Sequence, residues 1–272
     1  EPATTHAGLS QEITDFYNLR FERKLTGAEK ESLIQGSIDE DAPNIRVLNH
    51  FYDPVRNIGI NNGRTAKDWA LASDTGNEFS WQKAIQYYAE GNEDRAFLAL
   101  GHILHLLEDM SVPDHTRNDP HIGTGPQGIF TGESPYEKWA DETQSRSTLA
   151  GLAQSLNAEG LQPRLFSSLS EYFDFLANYS NRDFFSKDTI NNPVYQYNQP
   201  SPIRYDTNYV YGRDQLTEEE IKLFGIFEDE DGGKFFALRD KKDTSILSSY
   251  FSRLSQQAIL SGAGVIDLFF KE

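Results

Sequence analysis

Three of the six histidines in this 272-residue chain lie in one short segment that also carries carboxylates. The segment "HILHLLEDMSVPDHTRND" spans residues 102–119 and contains His102, His105, Asp109 and His115. On a helix, His105 and Asp109 share one face, so both side chains can reach the same cation. His115 follows a proline turn and can fold back to that face. The spacing leaves two interpretations open: a metal site, or a buried histidine beside an acidic helix end.

Helical periodicity dominates the chain and predicts the elements that would hold these side chains. The segment 92–110 has Asn92 as a plausible N-cap and apolar residues at helical spacing, and Pro113 ends it. In "SPYE", Ser134 and Glu137 have the spacing of a capping box. The same period predicts further helices over residues 80–91, 165–179 and 244–270.

Residues 191–240 have a different composition from the helical segments. Their first half is rich in Asn, Pro and Tyr. Their second half, "LFGIFEDEDGGKFFALRD", reads as two short strands around a turn. We expect a loop-and-hairpin insertion at about 191–240 on an all-α body, with residues 1–272 forming one domain.

Composition limits the chemistry and the partners. The chain has 25 basic and 42 acidic residues, a net charge of −17, so its field repels nucleic acid and anionic bilayers. It has no cysteine, so a metal site must use His, Asp and Glu. No apolar run is long enough to predict a membrane-spanning helix. The chain starts at Glu1 without a start Met, and we interpret it as a mature or trimmed chain.

Several motifs together resemble the bacterial zinc-dependent phospholipase C family, which is related to the single-strand-specific zinc nucleases. "HLLEDMSVPDH" is similar to the family's His-x3-Asp-x5-His segment, and "HFYDP" is similar to its metal-binding histidine segment. "GSIDED", "SPYEKWAD" and the tail "SGAGVIDLFF" resemble further family segments. The resemblance covers residues 6 to about 145 and the last helix. It implies an all-α, multi-helix phospholipase C-like bundle whose cleft binds two to three Zn²⁺ ions.

The resemblance also implies which residues bind the first two zinc ions. The first ion would be held by Asp41, His50, His105 and Asp109. Asp109 would bridge to a second ion that His6 binds together with the amine of the first residue. In the family that first residue is Trp, whereas here it is Glu.

A third zinc ion is implied at His115 and Glu137. The family has a further histidine ligand four residues before its last Glu, and here that position is Glu133. Glu133 could coordinate through oxygen, His121 could take its place, or this ion could be absent. The capping-box role of Glu137 is the competing interpretation of that residue.

The resemblance implies a zinc-dependent phosphoric diester hydrolase in which metal-activated water attacks phosphorus. Asp41 is our candidate general base. The favoured substrate is a phospholipid, with transient contact to a membrane surface, and a secreted or periplasmic location follows from the family. A single-strand nuclease or 3'-nucleotidase is the first alternative, and an inactive, metal-stabilised binding protein is the second. The aromatic insertion could contact a bilayer or simply cover the body.

Overall fold

The computed structural model describes residues 3–72, 76–120, 134–142, 147–193, 195, 198–228, 231–239 and 243–272. Short 3-10 turns cover Asn44–Asn49, Ile60–Asn62 and Lys187–Thr189. The α-helices are α1 (Ala3–Arg20), α2 (Gly27–Asp39), α3 (Ala66–Leu71), α4 (Trp81–Ala89), α5 (Glu93–Asp109), α6 (Pro113–Thr116), α7 (Pro135–Ala140), α8 (Leu152–Ala158), α9 (Leu169–Asp183) and α10 (Ser245–Phe269).

Helix α5 lies at the centre of the body, in contact with α1, α2, α3, α4 and α10. It is buried from Ala96 onward apart from Leu98, because apolar residues occupy most of its surface and neighbouring helices also cover the face that carries the histidines. Glycines let α2 approach it closely. A Cβ atom at Gly36 would lie 2.0 Å from the Leu98 carbonyl oxygen, and one at Gly101 would lie 2.0 Å from that of Leu33. This close packing brings the C-terminal end of α2 against the histidine face of α5.

The insertion forms a four-stranded antiparallel sheet in the order β1 (Arg204–Tyr205), β2 (Tyr209–Arg213), β3 (Glu220–Glu228) and β4 (Lys234–Ala237). The β3–β4 hairpin confirms the strand prediction, with Phe227 opposite Phe235. The β1–β2 hairpin lies in the Asn-, Pro- and Tyr-rich part of the insertion, where the sequence predicts a loop. There the Asp206 side chain accepts hydrogen bonds from the backbone amides of Asn208 and Tyr209, and this local turn reverses the chain.

A single cluster of buried apolar side chains runs from α1 to α10 and includes β2 and β3 through Val210, Leu223 and Phe224. The fold class is therefore confirmed as an all-α body with a small sheet. The assignment of residues 1–272 to one domain stays a prediction. None of the described helices is both long and apolar enough to cross a bilayer.

Candidate metal centre

Four imidazole rings surround the carboxylate of Asp109, the last residue of α5. Asp109 Oδ2 lies 3.1 Å from Nδ1 of His50 and 3.6 Å from Nε2 of His105. Asp109 Oδ1 lies 3.7 Å from Nε2 of His6 and 3.1 Å from Nδ1 of His115. The structure thus brings together side chains from α1, α5, α6 and the loop after α2, although they are separated by up to about a hundred residues of sequence.

Asp41 joins this cluster from the end of α2. Its Oδ1 lies 3.6 Å from Nε2 of His105 and 3.7 Å from Nδ1 of His50. Ligands about 2.0–2.2 Å from a tetrahedral ion lie roughly 3.3–3.6 Å from one another. The distances between ligand atoms around His105 are close to these values. Two groups of ligands could each hold a metal ion, namely Asp41–His50–His105 and His6–His105–Asp109.

Buried atoms that have a free lone pair and accept no hydrogen bond from the described residues support this interpretation. His105 Nδ1 donates a hydrogen bond of 2.7 Å to the Ser37 carbonyl oxygen, so its Nε2 carries the lone pair. Among the described residues, neither His105 Nε2 nor the two carboxylate oxygens of Asp109 has a hydrogen-bond partner, although all three are buried. Burying such atoms unsatisfied is unfavourable, and a bound cation would satisfy all of them at once.

His115 and Glu137 form the third predicted group. His115 Nε2 lies 2.9 Å from Glu137 Oε1, and His115 Nδ1 lies 3.1 Å from the His50 carbonyl oxygen. Ser134 Oγ accepts a hydrogen bond from the Glu137 amide, so Ser134 caps α7 while the Glu137 carboxylate faces the histidine. Glu133 and His121 lie outside the described residues.

The electrostatics of the cluster follow from buried carboxylates and rings at short range. Burial opposes protonation of His50, but the carboxylates of Asp109 and Glu40 together outweigh it and raise the pKa of His50 to about 9. Burial would raise the pKa of Asp109, yet the rings of His115, His105 and His50 hold it well below its usual range. Burial and the charge of His6 lower the pKa of His105. The centre therefore stabilises positive charge next to one neutral imidazole, which suits a cation site.

Two carboxylates that the sequence reasoning missed lie behind these rings. Glu40 contacts Nδ1 of His102, accepts a hydrogen bond of 3.1 Å from Trp69 Nε1, and has Oε1 3.7 Å from Nε2 of His50. Glu108 lies 2.7 Å from Nδ1 of His6. Carboxylates in this position orient a ring and fix its tautomer. Their position directly before Asp41 and Asp109 in sequence does not distinguish them from other acidic residues at helix ends.

A cavity of about 480 Å³ opens onto the cluster. Its wall contains the candidate ligands, several other polar residues including Lys138 and Asp141, and a group of apolar and aromatic side chains. The apolar part comprises Leu9, Val47, Phe51, Val112, Tyr136 and Phe251. The cavity can therefore accommodate a molecule that is anionic at one end and apolar at the other.

We find no family model that matches the chain and no match among curated proteins. The solved structures that are similar to it include two clostridial alpha toxins. The alpha toxin from Clostridium absonum is 16% identical over 90% of this chain and 80% of that one, with a TM-score of 0.48. The alpha-toxin of Clostridium perfringens from avian strain SWCP is 16% identical over 85% and 75%, with a TM-score of 0.34.

Proposed function

We propose that this protein is a zinc-dependent phosphodiester hydrolase of the phospholipase C type. One observation carries the proposal. Asp109 presents two buried oxygens without hydrogen-bond partners to four histidine rings, among the residues that the structure describes. A carboxylate that has both oxygens directed at imidazoles is suited to bridge two cations.

Zinc is the metal that these donors favour. Imidazole nitrogens and carboxylate oxygens at near-tetrahedral separations are typical of zinc sites, and cysteine is absent from the whole chain. Asp41, His50, His105 and Asp109 would hold the first ion, and His6 with Asp109 the second. His115 and Glu137 would hold a third, in accord with the resemblance noted from sequence.

The residues of the chain contribute orientation and proton transfer. When bound, clustered zinc ions lower the pKa of water and offset charge on a phosphodiester. Glu108 and Glu40 hold the rings of His6 and His102 in place through their Nδ1 atoms. Asp41, whose side chain is 29% exposed, lies at the cavity and can accept the proton of the attacking water as general base.

Two features favour a phospholipid over a nucleic acid as substrate. The cavity wall next to the candidate ligands is apolar and aromatic, which suits the glycerol and acyl part of a lipid. The net charge of −17 repels a polyanion at long range. A phospholipid substrate is in keeping with action outside the cytoplasm, at a secreted or periplasmic location.

Elemental analysis combined with two activity assays tests this proposal. The purified chain should contain two to three zinc ions and hydrolyse phosphatidylcholine faster than single-stranded DNA. His105→Ala should lose zinc and activity together. Leu104→Ala, the neighbouring buried residue on the same helix, should reduce stability but keep the metal. Faster cleavage of DNA would point to a nuclease, and bound zinc without turnover on either substrate would point to a binding protein.

The role of Asp41 is tested with Asp41→Asn at saturating zinc. Turnover should fall by about a hundredfold or more while the zinc content at saturation is kept, because general-base catalysis contributes about 10²–10⁴-fold. Near-normal turnover with full zinc would remove Asp41 from the proton transfer and leave it as a ligand only.

A further inference from the structure

The 3-10 turn Asn44–Asn49 connects the end of α2 to His50 and presents three distinct faces. In a 3-10 helix, side chains three residues apart lie above one another. Residues 46 and 49 therefore form one face, residues 47 and 50 a second, and residues 45 and 48 a third.

Contacts fix the orientation of the first two faces. The Arg46 guanidinium forms an ion pair with the buried Glu40 and lies 5.2 Å from the ring of Trp69, so the first face packs on the body. Val47 and His50 line the cavity of the metal centre, so the second face forms part of its wall. The third face has only one remaining direction, outward beside the cavity.

That outward face is aliphatic. Ile45 is 67% exposed and Leu48 is 42% exposed, whereas most other large apolar side chains of the described chain are buried or half-buried. We call Ile45 and Leu48 the aliphatic face. Isolated exposed apolar residues are common, but here two lie on one face of a turn whose next face lines the candidate active site.

We propose that the aliphatic face inserts into the surface of a zwitterionic phospholipid bilayer and so brings the cavity to its substrate. This inference rests on the proposed function and identifies the lipid surface at which the hydrolase would act. Aliphatic side chains partition into the boundary between headgroups and acyl chains. The net charge of −17 opposes binding to anionic lipid, so the matching surface has no net charge.

The sheet offers a rival surface, because Tyr205, Phe235 and Phe236 are also exposed. Tyr205 and Phe236, however, line a second cavity of about 310 Å³. In the described part of the chain, that cavity shares no lining residue with the metal centre. Docking through the sheet would place the second cavity at the membrane. Docking through the aliphatic face would place the cavity of the metal centre there.

The test compares two double variants of the zinc-loaded full chain, Ile45→Asn/Leu48→Asn and the sheet control Phe235→Asn/Phe236→Asn. Co-sedimentation with vesicles of pure phosphatidylcholine measures binding without requiring turnover. We expect binding and vesicle hydrolysis to fall about tenfold or more in the first variant and to stay near wild type in the second. Hydrolysis of a soluble, short-chain phosphatidylcholine below its micelle concentration should be unchanged in the first variant.

Several outcomes would overturn the inference. These are equal vesicle binding by wild type and the first variant, a loss confined to the sheet variant, or wild-type binding only to phosphatidylserine vesicles. Thermal unfolding midpoints near wild type show that both variants fold. Failure of the proposed function gives a different result. If vesicle binding depends on Ile45 and Leu48 but no hydrolysis occurs, the protein is not a hydrolase, and the aliphatic face is still a docking surface.

Discussion

Two of the described helices end in a buried aspartate, and the surroundings of the two carboxylates differ. Asp109 ends α5 and faces histidine rings without a hydrogen-bond partner among the described residues. Asp183 ends α9 and accepts hydrogen bonds from Arg182 Nε at 2.9 Å and from the Gln215 amide at 3.0 Å. Its neighbour Asp214 is equally buried and equally well supplied with donors, namely the amides of residues 216 and 217 and the hydroxyl of residue 179.

The difference shows that buried carboxylates alone do not identify a functional site. Asp183 and Asp214 accept hydrogen bonds from the protein itself, so neither carboxylate requires a cation to be satisfied. The oxygens of Asp109 lie 3.1–3.7 Å from the histidine nitrogens without forming hydrogen bonds to them, and under the proposed function a cation between them would satisfy both sides. Substitutions in both places can break or sharpen this contrast.

The largest effect is expected from Asp109→Asn. Removal of a bridging carboxylate should reduce turnover by about a thousandfold or more, equivalent to about 4 kcal/mol. The wild type should also gain about 2.7 kcal/mol of unfolding free energy for each bound ion when zinc is at one hundred times its Kd, and the variant should gain little. Denaturant unfolding with and without zinc measures this gain. An unchanged gain in the variant would contradict the bridging role.

The matched substitution Asp214→Asn should have the opposite profile. It weakens charge-assisted hydrogen bonds to two amides and to the Tyr179 hydroxyl, which should cost about 2–3 kcal/mol of unfolding free energy. Its zinc content and its turnover per folded molecule should equal those of the wild type. Loss of zinc in this variant would mean that the two aspartate environments are coupled, and the comparison would fail.

Glu40→Gln should have an intermediate effect on zinc binding. Glu40 accepts hydrogen bonds from the protein, as Asp214 does, yet it lies behind the ring of the candidate ligand His50. Removal of such an orienting carboxylate commonly weakens metal binding by about 10–100-fold. Competition with a coloured zinc chelator measures the affinity, and excess zinc should restore most of the turnover. An unchanged zinc affinity would show that Glu40 serves packing with Arg46 and Trp69 only.

The smallest effect on zinc affinity is expected from removal of an N-cap, and two helices allow a matched comparison. Ser134→Ala uncaps α7, which carries Glu137, and Ser168→Ala uncaps α9, which leads to Asp183. Each should cost about 1 kcal/mol of unfolding free energy. Only Ser134→Ala should also lower the affinity for zinc, by less than about tenfold. Equal zinc affinities in the two variants would indicate that Glu137 does not take part in the metal centre.

The sequence predicted the helical body and the β3–β4 hairpin, and both are confirmed. Helical spacing and one proline turn also fix where His105, Asp109 and His115 lie relative to one another, whereas their roles as metal ligands stay a prediction. Their convergence with His50 depends on the close approach of α2 to α5 at Gly36 and Gly101, which no local pattern reveals.

The carboxylates behind the rings could not be predicted for the same reason. Glu40 and Glu108 resemble any acidic residue at a helix end until the packing shows which ring nitrogen each one faces. The β1–β2 hairpin was missed because its Pro- and Asn-rich flanks are typical of loops, and only pairing with β3 makes Tyr209–Arg213 a strand.

The most direct test is a crystal structure with anomalous diffraction data collected above and below the zinc absorption edge. Peaks should appear between the carboxylate of Asp109 and the rings of His50 and His105, and next to His6. A structure of an active preparation without anomalous density at these positions, and with Asp109 hydrogen-bonded to protein or water instead, would contradict the proposed metal centre.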